Sequence, residues 1–214
     1  MNAKRSYLVS GVVALAAWAC TAPARAEVRY TITDLGPWRP NAINDYGVVV
    51  GEGPLMWQNG VLTTLPVPGG ENATDINNAG YVVGVRGAPA PDWRAFRWRQ
   101  GSLLTLGTLG GQWSSAGGVN EIGVIVGTAE TAAYQSHAFV YQDGAMTDLG
   151  TLGGARSAAS AVNSSGVVVG RADTGAPPPP GGLPPYRAFV YANGVMTPIA
   201  SDGSTAYDIN DYGQ

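Results

Sequence analysis

Runs of small apolar residues recur along the chain, and each ends in glycine: Val48–Gly51, Val82–Gly84, Val124–Gly127 and Val167–Gly170. An Asn-x-x-Gly group stands just before each run, at Asn44–Gly47, Asn77–Gly80, Asn120–Gly123 and Asn163–Gly166, and a fifth stands at Asn210–Gly213. A third run alternates in character: Arg94-Ala95-Phe96-Arg97-Trp98, His137-Ala138-Phe139-Val140-Tyr141 and Arg187-Ala188-Phe189-Val190-Tyr191, with a degenerate copy at Pro54-Leu55-Met56-Trp57. Phe and Trp or Tyr are two apart, so a strand puts both rings on one face. That placement predicts packing of one sheet on the next. A polar-Gly turn follows each copy, as in Asn59-Gly60, Gln100-Gly101, Asp143-Gly144 and Asn193-Gly194, and then a short run such as Ala145–Leu149. β-Branched and aromatic residues bounded by such turns read as strands. Asn bonds its own backbone two residues on, and Gly takes the positive φ that tight hairpins need. Each unit thus holds four short strands.

The asparagines advance in steps of 33, 43, 43 and 47 residues. The phrase Leu-Gly-Thr-Leu-Gly-Gly occurs at Leu106–Gly111 and again, 43 residues on, at Leu149–Gly154. A period near 40–50 residues is typical of propeller blades. The expected fold class is all-β, a β-propeller-like array of four-stranded antiparallel blades. Four complete repeats are expected at 37–72, 73–111, 112–154 and 155–200, with a partial fifth at 201–214. Residues 28–36 match the fourth segment of a unit and are expected to be the outer strand of a split blade. On this reading the chain is a truncated or partial ring.

These residues resemble the HAF family of extracellular repeats, named for a His-Ala-Phe run. Here that run is His137-Ala138-Phe139, with Arg in place of His at Arg94 and Arg187. The resemblance spans Tyr30 to Gln214. It implies export and a propeller-like β-fold. It implies no established activity and brings no catalytic residues.

Export is also expected from the first 26 residues. Lys4 and Arg5 precede an apolar stretch from Tyr7 to Cys20, and Ala24-Arg25-Ala26 fits a small-x-small cleavage site. The stretch is short for a membrane span. Cys20 raises a lipoprotein reading, against which bulky Trp18 stands where lipidation prefers small residues. Cleavage would place the protein outside the cell, on its surface or in the periplasm. It would remove the one cysteine and take the net charge from −3 to −6 with the loss of Lys4, Arg5 and Arg25. The remaining cations are all Arg. An acidic chain without a basic stripe argues against nucleic acid.

Antiparallel strands put the Asn-x-x-Gly and polar-Gly turns on one rim. The other rim collects the long, irregular loops: 36–41, 87–93, 111–115, 130–136 and 174–185. Trp38, Trp93 and Trp113 lie there, outside the repeated slots, with Arg39, Arg94 and Arg156 nearby. These six residues are the candidate ligand-binding rim, suited to stack on a sugar or hold an acidic group. The plainer reading of the Trp rings is packing beneath their own loops. The Pro-rich stretch Ala176–Pro185 reads as a stiff surface insertion or as a polyproline segment for a partner.

Other chemistry finds little support. His137 is the only histidine, and its slot holds Arg elsewhere, so a cationic cap explains it. No second His and no Cys would share a metal with it. Asp75–Gly80 and Asp208–Gly213 lack the later bidentate Glu of a calcium loop. The Gly-Gly phrases lack the Lys-Ser/Thr of a phosphate loop. No catalytic residue, metal or cofactor is expected. The leading function is an exported, non-catalytic module for binding or surface structure, with a glycan or an extracellular protein as partner. The alternative is a carbohydrate-active propeller enzyme, hydrolase or lyase, which needs two carboxylates across a cleft. Glu52, Asp92, Glu130 and Asp173 are its candidates, and no spacing singles out a pair.

Overall fold

Every regular element among the described residues is a strand, sixteen in all, grouped in four antiparallel sheets of four. The computed structural model describes residues 32–87, 92–182 and 184–214. The first sheet holds β1 (Pro40–Ile43), β2 (Val49–Gly51), β3 (Leu55–Gln58) and β4 (Val61–Thr64). The second holds β5 (Gly70–Ile76), β6 (Val82–Arg86), β7 (Arg94–Arg99) and β8 (Ser102–Thr105). The third holds β9 (Gly110–Val119), β10 (Ile125–Thr131), β11 (Ser136–Gln142) and β12 (Ala145–Asp148). The fourth holds β13 (Gly153–Val162), β14 (Val168–Thr174), β15 (Tyr186–Ala192) and β16 (Val195–Pro198). Each is a simple meander in chain order. First strands touch first strands, β1 on β5, β5 on β9 and β9 on β13, and the four sheets form an arc that does not close into a ring. The expected all-β, propeller-like array is therefore present.

The second, third and fourth sheets begin at Gly70, Gly110 and Gly153, upstream of their repeats as counted from sequence, because the first strand reaches back into the Gly-Gly pair; the first sheet begins at Pro40, inside its counted repeat. The expected secretion signal, residues 1–26, and residues 27–31 lie outside the described residues, and Ile32–Gly36 belong to no strand.

The core lies between consecutive sheets. Val50 and Leu65 of the first repeat pack with Ile76, Val82 and Phe96 of the second. Val83 and Leu106 pack with Val119, Ile125 and Phe139 of the third. Val126 and Leu149 pack with Val162, Val168 and Phe189 of the fourth. The three Phe side chains are fully buried, and Trp98, Tyr141 and Tyr191 line the same clusters beside them. Second strands are covered on both faces, which is why they read as unbroken valine runs. Val82 faces the preceding sheet and Val83 the following one.

The glycine that ends each valine run is required by a close approach. An added Cβ on Gly127 would stand 2.1 Å from the Ser115 carbonyl oxygen, and on Gly170 2.0 Å from that of Ala158. The first strand bulges beside each of these positions. The polar-Gly hairpins adopt the two-residue geometry with both φ positive, as at Asp143 (51°) and Gly144 (83°).

The repeated Leu-Gly-Thr-Leu-Gly-Gly phrase is the connection between sheets. Leu106 is buried and its N–H donates to the Ala95 carbonyl at 2.8 Å. The Gly107 carbonyl accepts from the Ser114 hydroxyl at 2.7 Å, and the same hydroxyl accepts the Ala95 N–H. The Thr108 hydroxyl donates to the Gly111 carbonyl at 2.9 Å and closes the turn. Leu149, Gly150, Thr151, Gly154 and Ser157 repeat the arrangement one unit later. Ser204 takes the same place after the fourth sheet, where it accepts the Ala188 N–H at 2.9 Å.

The Asn-x-x-Gly turns form a ladder across the array. The Asn120 side-chain oxygen accepts the Val124 N–H at 2.9 Å, which shapes its own turn. Its amide nitrogen donates outward, to the Asn163 carbonyl at 3.0 Å. Asn44 donates likewise to Asn77, Asn77 to Asn120, and Asn163 to Asn210. Asn77, Asn120 and Asn163 are buried, so each rung replaces water with a partner that satisfies the amide.

Candidate binding rim

The first strand of each sheet runs from the irregular rim to the Asn turn, and the second strand returns. Two positions near the irregular rim vary while the scaffold around them repeats. One is the residue after the valine-run glycine: Glu52, Val85, Thr128 and Arg171. The other lies five residues before the turn asparagine: Arg39, Asn72, Ser115 and Ala158. Thr128 pairs with Ser115, and Arg171 with Ala158. All eight residues line one of two clefts.

The first cleft, about 460 Å³, opens between the third and fourth sheets. Trp113, Arg156, Arg171, Asp173 and Tyr186 are its chemically active lining, with Ser115, Thr128 and Ser136 supplying hydroxyls. Arg156 Nε stands 3.6 Å from Asp173. The guanidinium of Arg171 lies 5.5 Å from the centre of the Tyr186 ring. Two cations against one carboxylate leave the cleft positive within an acidic protein. Pro184 of the Pro-rich insertion forms part of the wall, so that segment contributes to the cleft as well as to the surface.

The second cleft, about 510 Å³, lies toward the first and second sheets and is lined by Arg39, Asn41, Glu52, Glu71, Asn72, Val85, Trp93, Trp113 and Ser115. Arg39 Nε is 3.7 Å from Glu52. Trp113 and Ser115 belong to both clefts and stand where they adjoin.

Of the six candidate rim residues, four reach these clefts. Arg39 and Trp93 line the second, Arg156 the first, and Trp113 both. Trp93 is 40% exposed, as a surface aromatic would be. Trp38 lies elsewhere: its indole N–H donates to the Leu35 carbonyl at 2.8 Å and its ring stands over Gly51. Arg94 donates to the carbonyls of Trp93 and Gln112, holding the loop before β7 against β9. Arg171, Tyr186 and Glu71 were not singled out from the sequence. They sit inside strands, where attention to irregular loops does not reach.

The remaining polar candidates are placed as follows. His137 Nδ1 meets Asp148 at 2.8 Å, and in the equivalent slot Arg187 meets Asp202 at 2.6 Å. Glu130 accepts the Gln112 N–H at 2.6 Å, and Asp92 is exposed beside residues outside the description. Among the described residues no three His, Cys, Asp or Glu side chains converge as a metal site, and no helix is long and apolar enough to cross a membrane. Asp75 bridges first strands, accepting the Val119 N–H at 2.8 Å. Loss of water around it pushes its carboxyl from 3.8 up to about 6, and Asp208 and Glu121 push the same way against two main-chain hydrogen bonds.

No family model, curated protein or solved structure matches this chain.

Proposed function

We propose that this protein is an exported, non-catalytic repeat module of the HAF type that binds a hydroxyl-rich, acidic ligand, a glycan above all, on its irregular rim. The shared wall carries this reading: Trp113 joins two adjoining clefts of small-ligand size, so one extended ligand could cross both. Aromatic rings offer flat apolar faces to sugar rings, hydroxyls and amides orient them, and the Arg pair answers a carboxylate or sulfate. Export is inferred from the leader in the first 26 residues. Retention on an array of neutral and acidic glycans tests the reading. Trp113→Ala with Arg156→Ala is expected to abolish retention, whereas equal retention by the folded double variant would sink it.

A second reading is carbohydrate-active catalysis, favoured by one observation. Glu52 and Glu71 line the same cleft, and sugar hydrolysis uses two carboxyl groups. Turnover of any glycan that disappears with Glu52→Gln or Glu71→Gln would replace binding by catalysis.

A further inference from the structure

The opposite rim, built from the Asn turns and the polar-Gly hairpins, is the uniform one. Three of its residues depart from the repeat together, in one unit only. Four residues after the turn asparagine the chain has Val48, Val124 and Val167, but Tyr81 in the second repeat. Next to the ring of the third strand it has Met56, Val140 and Val190, but Arg97. Two residues further on it has Gln58, Gln142 and Ala192, but Arg99.

The fold brings the three exceptions to one point. Arg97 and Arg99 share the face of β7 opposite Phe96 and Trp98. Their guanidinium carbons lie 5.0 Å and 4.7 Å from the centre of the Tyr81 ring. Arg99 Nη1 donates to the Tyr81 hydroxyl at 3.2 Å, which fixes the orientation of its fork. Gln100, Ser102 and Leu104 complete a recess of about 330 Å³ around them. Among the described residues neither guanidinium has a carboxylate within salt-bridge distance, although Arg39, Arg156 and Arg187 all do. Arg99 Nε is buried with no acceptor. Two unopposed cations are thus held against one aromatic ring, in a chain with an excess of acid. The other repeats fill the same places with uncharged side chains, so the fold itself does not need the charges.

We propose that Tyr81, Arg97 and Arg99 form a binding site for an oxyanion group, carboxylate or sulfate, on the Asn-turn rim. A guanidinium held by a ring and a hydroxyl presents its remaining N–H groups in a fixed fork, which suits two oxygens of one anion. This site is separate from the clefts of the irregular rim.

The test is a titration of the full chain with sodium sulfate and with sodium glucuronate, against sodium chloride at equal ionic strength, followed by amide NMR shifts. Saturable shifts at Tyr81, Arg97 and Arg99 with either oxyanion, and none with chloride, are expected. Preference for sulfate points to a sulfated source, and preference for glucuronate to a uronic acid. The consensus variant Tyr81→Val, Arg97→Val, Arg99→Gln, which copies the third repeat, should fold and lose at least tenfold in affinity. Arg99→Lys, which keeps the charge without the fork, should lose several-fold, and the single changes Arg97→Gln and Arg99→Gln serve if the triple variant does not fold. Shifts that follow chloride equally would overturn the proposal, as would wild-type affinity in the folded variants. Glycan retention on the other rim should survive the consensus change.

Discussion

The side-chain amide of Asn120 donates to the main-chain carbonyl of Asn163, 3.0 Å away and one whole repeat further along the chain. Its oxygen meanwhile shapes its own turn. One side chain therefore closes a hairpin and holds the next sheet. Asn120→Asp keeps the acceptor and removes the donor, leaving a buried carboxylate against a carbonyl. A loss of roughly 2–3 kcal/mol is expected in urea unfolding. Asn210→Asp, on an exposed residue whose amide reaches only Gln214, should cost less than about 0.5 kcal/mol. Equal costs at the two positions would remove the ladder as a source of stability.

Gly127 should not tolerate a methyl group. Its added Cβ would stand 2.1 Å from a main-chain oxygen and 3.0 Å from the Phe139 ring. Gly127→Ala is expected to destabilise by roughly 3 kcal/mol. Gly107, with no neighbour within 4 Å and no positive φ, is the control, and Gly107→Ala should be close to neutral in the same thermal melts.

Asp75 makes stability depend on mild acidity. Its folded carboxyl titrates near 6 rather than 3.8, so the folded state holds a proton that the unfolded state has released. The associated stability is complete below pH 4 and is lost as pH rises through 6, with a magnitude on the order of 3 kcal/mol. Asp75→Asn should flatten the slope of the urea midpoint between pH 4 and 6.5, at the cost of one of the two main-chain N–H groups that the carboxyl oxygens accept. An unchanged slope in that variant would assign the effect to another group.

The Trp residues of the irregular rim should separate by role. Trp93→Ala and Trp113→Ala are expected to weaken glycan retention about tenfold or more, as loss of an aromatic anchor does. Trp38→Phe should leave retention intact and cost only stability, because its indole is tied to the Leu35 carbonyl. Retention that falls with Trp38 and survives loss of Trp113 would reverse that assignment.

Much of the fold was legible in the sequence because its signals are local. The valine runs, the Phe-x-Trp/Tyr alternation and the Asn-Gly and Asp-Gly turns each act within a few residues, and together they define four strands per repeat. The ladder was only half legible. The turn role of Asn44, Asn77, Asn120, Asn163 and Asn210 can be read from spacing, but the donor's target lies 33 to 47 residues away. A signal was nonetheless present: Asp serves an Asx turn as well as Asn does, yet none of the five copies has it. At Asn44, Asn77, Asn120 and Asn163 the donor to the next repeat is what Asp would lack. The rim was legible as a face and less so as a site. Trp93, Trp113, Arg39 and Arg156 reach the clefts, but Arg171, Tyr186 and Glu71 do so from strand positions. There a change of chemistry from repeat to repeat was the clue, in place of loop irregularity.

The ladder has one more consequence. Each rung is received by a main-chain carbonyl, a group that every residue possesses. That rung is therefore indifferent to which repeat comes next. Recombination within such a coding sequence could duplicate, delete or reorder whole repeats without breaking that rung, while the residue after each valine-run glycine travels with its own repeat. Such shuffling would exchange the chemistry that lines the clefts while keeping the rung between repeats.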